Sequence, residues 1–130
     1  MVEGEYTMRE IAVEDITKEI AGMCIQANHY LSDDMDKVLK NATKEEASPL
    51  GKKILEQLQE NLTIADQDMI PICQDTGMAV VFIEIGQDVH FVGGSLEDAI
   101  NEGVRQGYTD GYLRKSVVGD PIQPINTKDN

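Results

Sequence analysis

The sequence predicts a mixed α/β fold of the α+β type: helices first, then a β-hairpin or small sheet packed against a glycine-faced helix, then an extended C-terminal loop. Three observations carry that expectation. Apolar residues recur at three- and four-residue spacing through the first half of the chain, a Val- and Ile-rich run begins at Met78, and Ala99, Gly103, Gly107 and Gly111 recur every fourth residue beyond it.

Over residues 8–31 apolar or small side chains fall at positions 8, 12, 16, 20, 23/24, 27 and 31, the stripe of an amphipathic helix. Thr7 and Glu10 have the spacing of a capping box at its start. Cys24 lies on the stripe, which assigns its thiol to packing. Ser32 is placed to cap a second, shorter helix that carries Met35, Val38, Leu39 and Ala42, with Lys37 and Lys40 toward the negative end of its dipole. Residues 43–47 read as a charged connection. Ser48 and Pro49 then open a third helix in which Leu50, Ile54, Leu58, Leu62 and Ala65 repeat at helical spacing.

Residues 78–85 are apolar on both faces and read as a buried strand, and Gly86, Gln87 and Asp88 turn the chain toward a hairpin partner at 89–92. Ser95 and Asp98 provide the cap of a fourth helix reaching about Leu113. Each mid-helix glycine costs about 1 kcal/mol relative to alanine, so a row of them on one face predicts close approach of a sheet or another helix. Beyond Ser116, Pro121 and Pro124 impose an extended loop.

Bulk properties narrow the function. A chain of 130 residues with 41% apolar content builds a single core, so residues 1–130 read as one domain. Acidic residues outnumber basic ones 24 to 11, for a net charge of -13, which excludes a nucleic-acid partner. The longest apolar run, 78–83, is too short to cross a bilayer, and the acidic N-terminus lacks the basic and apolar blocks of a signal peptide. A cytoplasmic location follows as an expectation, and with it reduced thiols at Cys24 and Cys73.

The chemistry-bearing stretch is Pro71-Ile72-Cys73-Gln74-Asp75-Thr76-Gly77, a thiol, an amide and a carboxylate on one short turn between a proline and a glycine. Cys73 reads from the residues alone as a structural thiol ahead of a nucleophile or a metal ligand. A nucleophile needs a base, and the two histidines, His29 and His90, have no evident route to it; a metal site needs further ligands at suitable spacing, and none is present. Asp75-Thr76-Gly77 before an apolar run also matches the aspartic-protease signature. The helical first half and the polar Cys73 and Gln74 ahead of the aspartate oppose that reading. Gly93-Gly94-Ser95 reads as a turn plus cap, because Glu97 and Asp98 would repel an anion there. Asp33, Asp34 and Asp36 are a helix N-terminal bias, lacking the glycine and glutamate of a calcium loop.

The 71–77 stretch, followed by Leu113-Arg114-Lys115-Ser116 and then Asn126-Thr127-Lys128-Asp129-Asn130, resembles the N-terminal part of the class I fumarase and L-tartrate dehydratase alpha-subunit family, over about residues 12–130. The three motifs in that order make the resemblance specific. It implies an iron-sulfur hydro-lyase that reversibly dehydrates a 2-hydroxy dicarboxylic acid, malate to fumarate or tartrate to oxaloacetate. It implies that Cys73 is one of three thiolates holding a 4Fe-4S cluster and that the other two have no counterpart in this chain. Gln74, Asp75 and Arg114 would contact the substrate, with Asp75 as the catalytic acceptor or proton-relay group, and Lys115 and Ser116 would flank Arg114. The chain then reads as the N-terminal fragment of a larger catalytic domain, inactive alone. It would complete its site with the remaining part of the subunit or a beta subunit, in a homo- or hetero-oligomer. The alternative is a non-catalytic assembly module or split subunit that lends part of a shared site.

Overall fold

A computed structural model describes residues 8–129. Two β–α units stand side by side in it. Strand β1 (Arg9–Ala12) runs straight into helix α1 (Val13–His29), and helices α2 (Asp33–Glu45) and α3 (Pro49–Asp68) follow as a helical hairpin. Strand β2 (Val89–Val92) then leads into helix α4 (Leu96–Asp110). The strands pair in parallel, Arg9 opposite Val89 and Ala12 opposite Val92. The helices run the same way: the Thr17 hydroxyl of α1 donates to the Ala99 carbonyl of α4 at 3.0 Å.

The glycine row explains how tightly α1 and α4 approach. A Cβ built at Gly103 would sit 2.7 Å from both the Ile20 Cβ and the Thr17 carbonyl oxygen, and one at Gly107 2.7 Å from the Ala21 carbonyl oxygen and 2.8 Å from the Cys24 Cβ. At Gly111 the obstacle is Ile25 Cγ1, at 2.8 Å. Removing the side chains from one helix thus lets its backbone lie on the other, which offsets the propensity cost of the glycines. Ile20, Val104, Tyr108 and Leu113 form the buried cluster at this seam, with Ile16, Cys24, Ala79 and Ile100 packed around it.

The caps follow the sequence at α3 and α4. Ser48 Oγ accepts from the Gly51 N–H with Pro49 in the first turn, and Ser95 Oγ accepts from the Asp98 N–H. Ser32 stands at the α2 N-cap without a side-chain bond to the helix backbone. The expected connection at 43–47 is partly helix, since α2 continues to Glu45.

Several expectations are corrected. The first helix begins at Val13, because residues 9–12 pair with β2 and are extended; Glu10 is in that strand, and Thr7 of the expected capping box lies outside the described residues. Of the hairpin and the small sheet, the molecule forms the sheet: Val89–Val92 pairs with β1, in parallel, and the glycine row faces a helix. Residues 78–85 form no strand and are exposed rather than buried, apart from the half-buried Ala79. Helix α4 ends at Asp110, with Gly111 as its cap. The C-terminal segment is extended and closes on itself through one antiparallel bridge, Val118 to Asn126.

Candidate functional site

Residues 71–77 are irregular, yet they are tied down from three helices. The Ile72 N–H donates to the Asn28 carbonyl at the end of α1, and Asn61 Nδ2 of α3 donates to the Ile72 carbonyl at 2.8 Å. At the far end, the Tyr108 hydroxyl of α4 reaches the Thr76 and Gly77 carbonyl oxygens at 3.0 and 3.3 Å. A carbonyl only accepts, so the single hydroxyl proton is shared between them.

Inside these ties the loop is folded by its own side chains. The Asp75 N–H points to Cys73 Sγ at 3.4 Å, and Asp75 Oδ1 accepts from the Gly77 N–H at 3.3 Å, an Asx turn. Gly77 has φ +61°, the left-handed region that a residue with a Cβ enters at a cost of roughly 1–2 kcal/mol. The outcome is a turn whose backbone is anchored while Cys73, Gln74 and Asp75 are exposed and Thr76 is buried. Cys73 borders a shallow apolar concavity of about 220 Å³ formed with Leu31, Leu39, Leu58 and Leu62.

The second motif is bonded to the first. The Thr76 hydroxyl donates to the Arg114 carbonyl at 3.0 Å, so the backbone carrying Arg114 lies against the residue after Asp75. Leu113 is buried and its N–H donates to the Tyr108 carbonyl, which fixes the exit from α4. Arg114 is exposed, and among the described residues its guanidinium has no hydrogen bond or ion pair. Lys115 turns back to α4, donating to the Thr109 hydroxyl at 2.7 Å.

The third motif is bonded to the second. Asn126 Nδ2 donates to the Lys115 carbonyl at 3.1 Å, and the Thr127 N–H donates to the Val117 carbonyl. Asn130 lies outside the described residues. Three stretches separated by tens of residues thus form one continuous strip, 73–77 against 114 and 115 against 126.

Two clefts lie near this strip. One of about 370 Å³ is bounded by Ile20, Cys24, Thr76, Ala79, Phe82 and Tyr108, and a wider one of about 670 Å³ by Met78, Val81, Asn101, Arg105 and Val117. Neither is lined by Cys73, Gln74, Asp75 or Arg114, which stand on open surface. Burial pushes the thiol of Cys24 up from its ordinary value, and burial first and the Cys24 charge second push Tyr108 up. Both therefore stay protonated, Tyr108 as the donor the loop requires.

One residue whose place sequence reasoning did not find is His29. It is 3% exposed, with Nε2 3.3 Å from the Gly111 carbonyl oxygen, so it fastens the C-terminal end of α1 to the cap of α4. Its signal was the spacing from Ala21 and Ile25, the residues that face Gly107 and Gly111.

The family model described as Fumarate hydratase (Fumerase) matches residues 17–130. The chain belongs to this family. A Methanocaldococcus jannaschii protein provisionally named as an L(+)-tartrate dehydratase alpha subunit is 36% identical over 110 residues, 81% of this chain and 37% of that protein. A Geobacillus stearothermophilus protein provisionally named as a class I fumarate hydratase is 26% identical over 119 residues, 91% of this chain and 23% of that protein. The L(+)-tartrate dehydratase alpha subunit of Escherichia coli K12 is 26% identical over 122 residues, 94% of this chain and 40% of that protein. The chain therefore spans well under half the length of these family relatives. The matched region contains all three motifs of the strip, from Cys73 to Asn126.

The residues present do not by themselves fit a 4Fe-4S cluster. Such a cluster is held by several thiolates, and the other cysteine, Cys24, is part of the α1 stripe with its Cβ against Gly107. Among the described residues no group of three or more His, Cys, Asp or Glu converges to hold a metal ion. No described helix is long and apolar enough to cross a membrane.

Proposed function

We propose that this chain supplies one side of a hydro-lyase site for a 2-hydroxy dicarboxylic acid, malate or tartrate, in a cytoplasmic enzyme. The observation that carries the reading is the strip itself: a loop anchored from three helices presents Cys73, Gln74 and Asp75, and its Thr76 is bonded to the backbone of Arg114. Dehydration of such an acid removes a proton next to one carboxylate and a hydroxyl next to the other. The site therefore needs an acceptor for the proton, donors for the anionic carbon, and a cation for a carboxylate.

Asp75 is the acceptor or relay group in this reading. Its Oδ1 is oriented by the Gly77 N–H, and the remaining oxygen has no partner among the described residues. Gln74 offers amide protons to a substrate oxygen, and Arg114 offers the planar fork that matches a carboxylate. Cys73 is one thiolate ligand of a 4Fe-4S cluster whose other ligands come from the part of the hydro-lyase that this chain does not span. The alpha-subunit relatives are matched over only 37% and 40% of their own length, which favours the remainder of the alpha subunit as that source, and their names add a partner subunit to the assembly.

The alternative, an assembly module without chemistry of its own, differs in what the exposed side chains do. Anaerobic co-expression with a polypeptide carrying the remainder of the Methanocaldococcus relative, then iron and sulfide reconstitution and a fumarate or tartrate assay, separates the two. Turnover that falls at least about a hundredfold in Cys73→Ser and Asp75→Asn, with the complex intact, is expected. Unchanged turnover in both variants would leave the assembly reading standing.

A further inference from the structure

Residues 78–85 form neither helix nor strand, and among the described residues no hydrogen bond engages their backbone. Their side chains divide by parity. On one side Ala79 packs on the buried cluster and Val81, Ile83 and Ile85 are 37%, 46% and 49% exposed; on the other Met78, Val80 and Phe82 are 68%, 67% and 92% exposed. This is the alternation of a β-strand with one face partly covered and the other bare. The sequence, apolar on both faces, is that of a strand covered from both sides.

The surface of the whole chain sets the scale of what is missing. A folded monomer of 14.4 kDa exposes about 6,800 Å². This chain exposes 10019 Å². The excess of about 3,000 Å² is surface left to be covered, and it is more than the roughly 1,000–2,500 Å² that each partner contributes to a large permanent interface. A second copy would bring together two chains of net charge -13, which repel one another. The family relatives carry the larger share of their length outside the stretch this chain matches, 63% in the Methanocaldococcus protein (100 less 37).

We infer that residues 78–85 are the seam against which the remaining share of the hydro-lyase packs, through β-strand addition: a strand of that share bonds to the bare backbone of 78–85 and apolar side chains cover Val80 and Phe82. The inference deepens the hydro-lyase reading and rests on it for the partner's identity. The seam begins directly after the loop of Cys73 and Asp75, so the joining strand would enter beside those side chains.

The test is co-purification of the chain with the remainder of the Methanocaldococcus relative, comparing the wild type, Val80→Asp/Phe82→Asp and the control Ile122→Asp, whose site is equally bare at 88% exposed. The double variant is expected to lose at least about tenfold in retention while the control keeps it, with circular dichroism showing the helices of all three intact. Amide exchange at 78–85, fast in the chain alone, is expected to slow by at least about a hundredfold in the complex. Equal retention of the double variant, or exchange at 78–85 unchanged by the partner, would overturn the seam. So would a wild-type dimer, seen by sedimentation, that the double variant abolishes, since the occupant would then be a second copy. A complex that forms through 78–85 without turnover would support the seam and count against the hydro-lyase reading alone.

Discussion

The hydroxyl of Tyr108 lies 3.0 Å from the carbonyl oxygen of Thr76, and through that bond a helix of the core governs the posture of an exposed turn. Tyr108 is 2% exposed, so its ring is committed to packing and only its oxygen is available to the loop. Removing that oxygen takes one donor away from the Thr76 and Gly77 carbonyls without changing the core. Tyr108→Phe should lower unfolding stability by about 1–3 kcal/mol. A spin label on Cys73, in a Cys24→Ala background, should become more mobile in the variant. An unchanged label spectrum would mean the loop is held by its other ties.

Two glycines predict opposite outcomes for the same substitution. Gly107→Ala would drive a methyl into the Ala21 carbonyl and the Cys24 Cβ, neither of which can rotate away. The overpacking costs about 1–3 kcal/mol, against about 1 kcal/mol gained in helix propensity, so net destabilisation is expected. Gly22→Ala, on the outer side of α1 where a Cβ meets nothing within 4 Å, should stabilise by about 0.5–1 kcal/mol. Thermal unfolding of the pair checks both signs.

The two thiols should separate kinetically. Cys73 is exposed, whereas Cys24 is half-buried with its thiol pushed up by burial. A disulfide reagent at about pH 8 should give a fast phase that Cys73→Ala removes and a slow phase that it leaves. A single phase in the native chain would contradict the placement of Cys24 in the α1–α4 seam.

Glu102 provides a check on pH. Hydrogen bonds from Arg105 and then Gln106 hold its carboxyl down to about 2. The folded value lies below the unfolded one of about 4.3, so the stabilisation is present above that value and disappears as the pH falls through the folded value. Its size is small because the pair is exposed to solvent. A carboxyl-carbon NMR titration should show Glu102 ionised at about pH 3.5, with Arg105→Met returning it to the ordinary carboxylate range. A native midpoint of about 4.3 would show the pair to be open in solution.

What the sequence made legible was local. Ser48, Pro49 and Ser95 marked helix starts through bonds a few residues long, and the glycine row announced a close contact because only a close contact justifies its cost. The 71–77 turn could be picked out for the same reason, its residue types being those of an anchored loop. What escaped depended on partners far along the chain. Residues 9–12 carry a helical spacing, yet they are extended because residues 89–92 offer them a ladder. Residues 78–85 have the composition of a buried strand and its alternation of exposure, but the pairing that would make it one is not supplied within the described residues. The bond between Thr76 and Arg114, which turns separate motifs into one strip, has no counterpart in composition or periodicity.

The parallel arrangement of the two β–α units also governs how the molecule can come into being. Thr17 meets Ala99 across 82 positions of sequence. A growing polypeptide therefore extrudes α1 long before anything exists for it to rest on. Closing so wide an interval costs about 4 kcal/mol of chain entropy before the first contact is rewarded. Assembly is delayed until α4 has left the ribosome, and α2 with α3 spends that interval as the portion able to organise without help from either end.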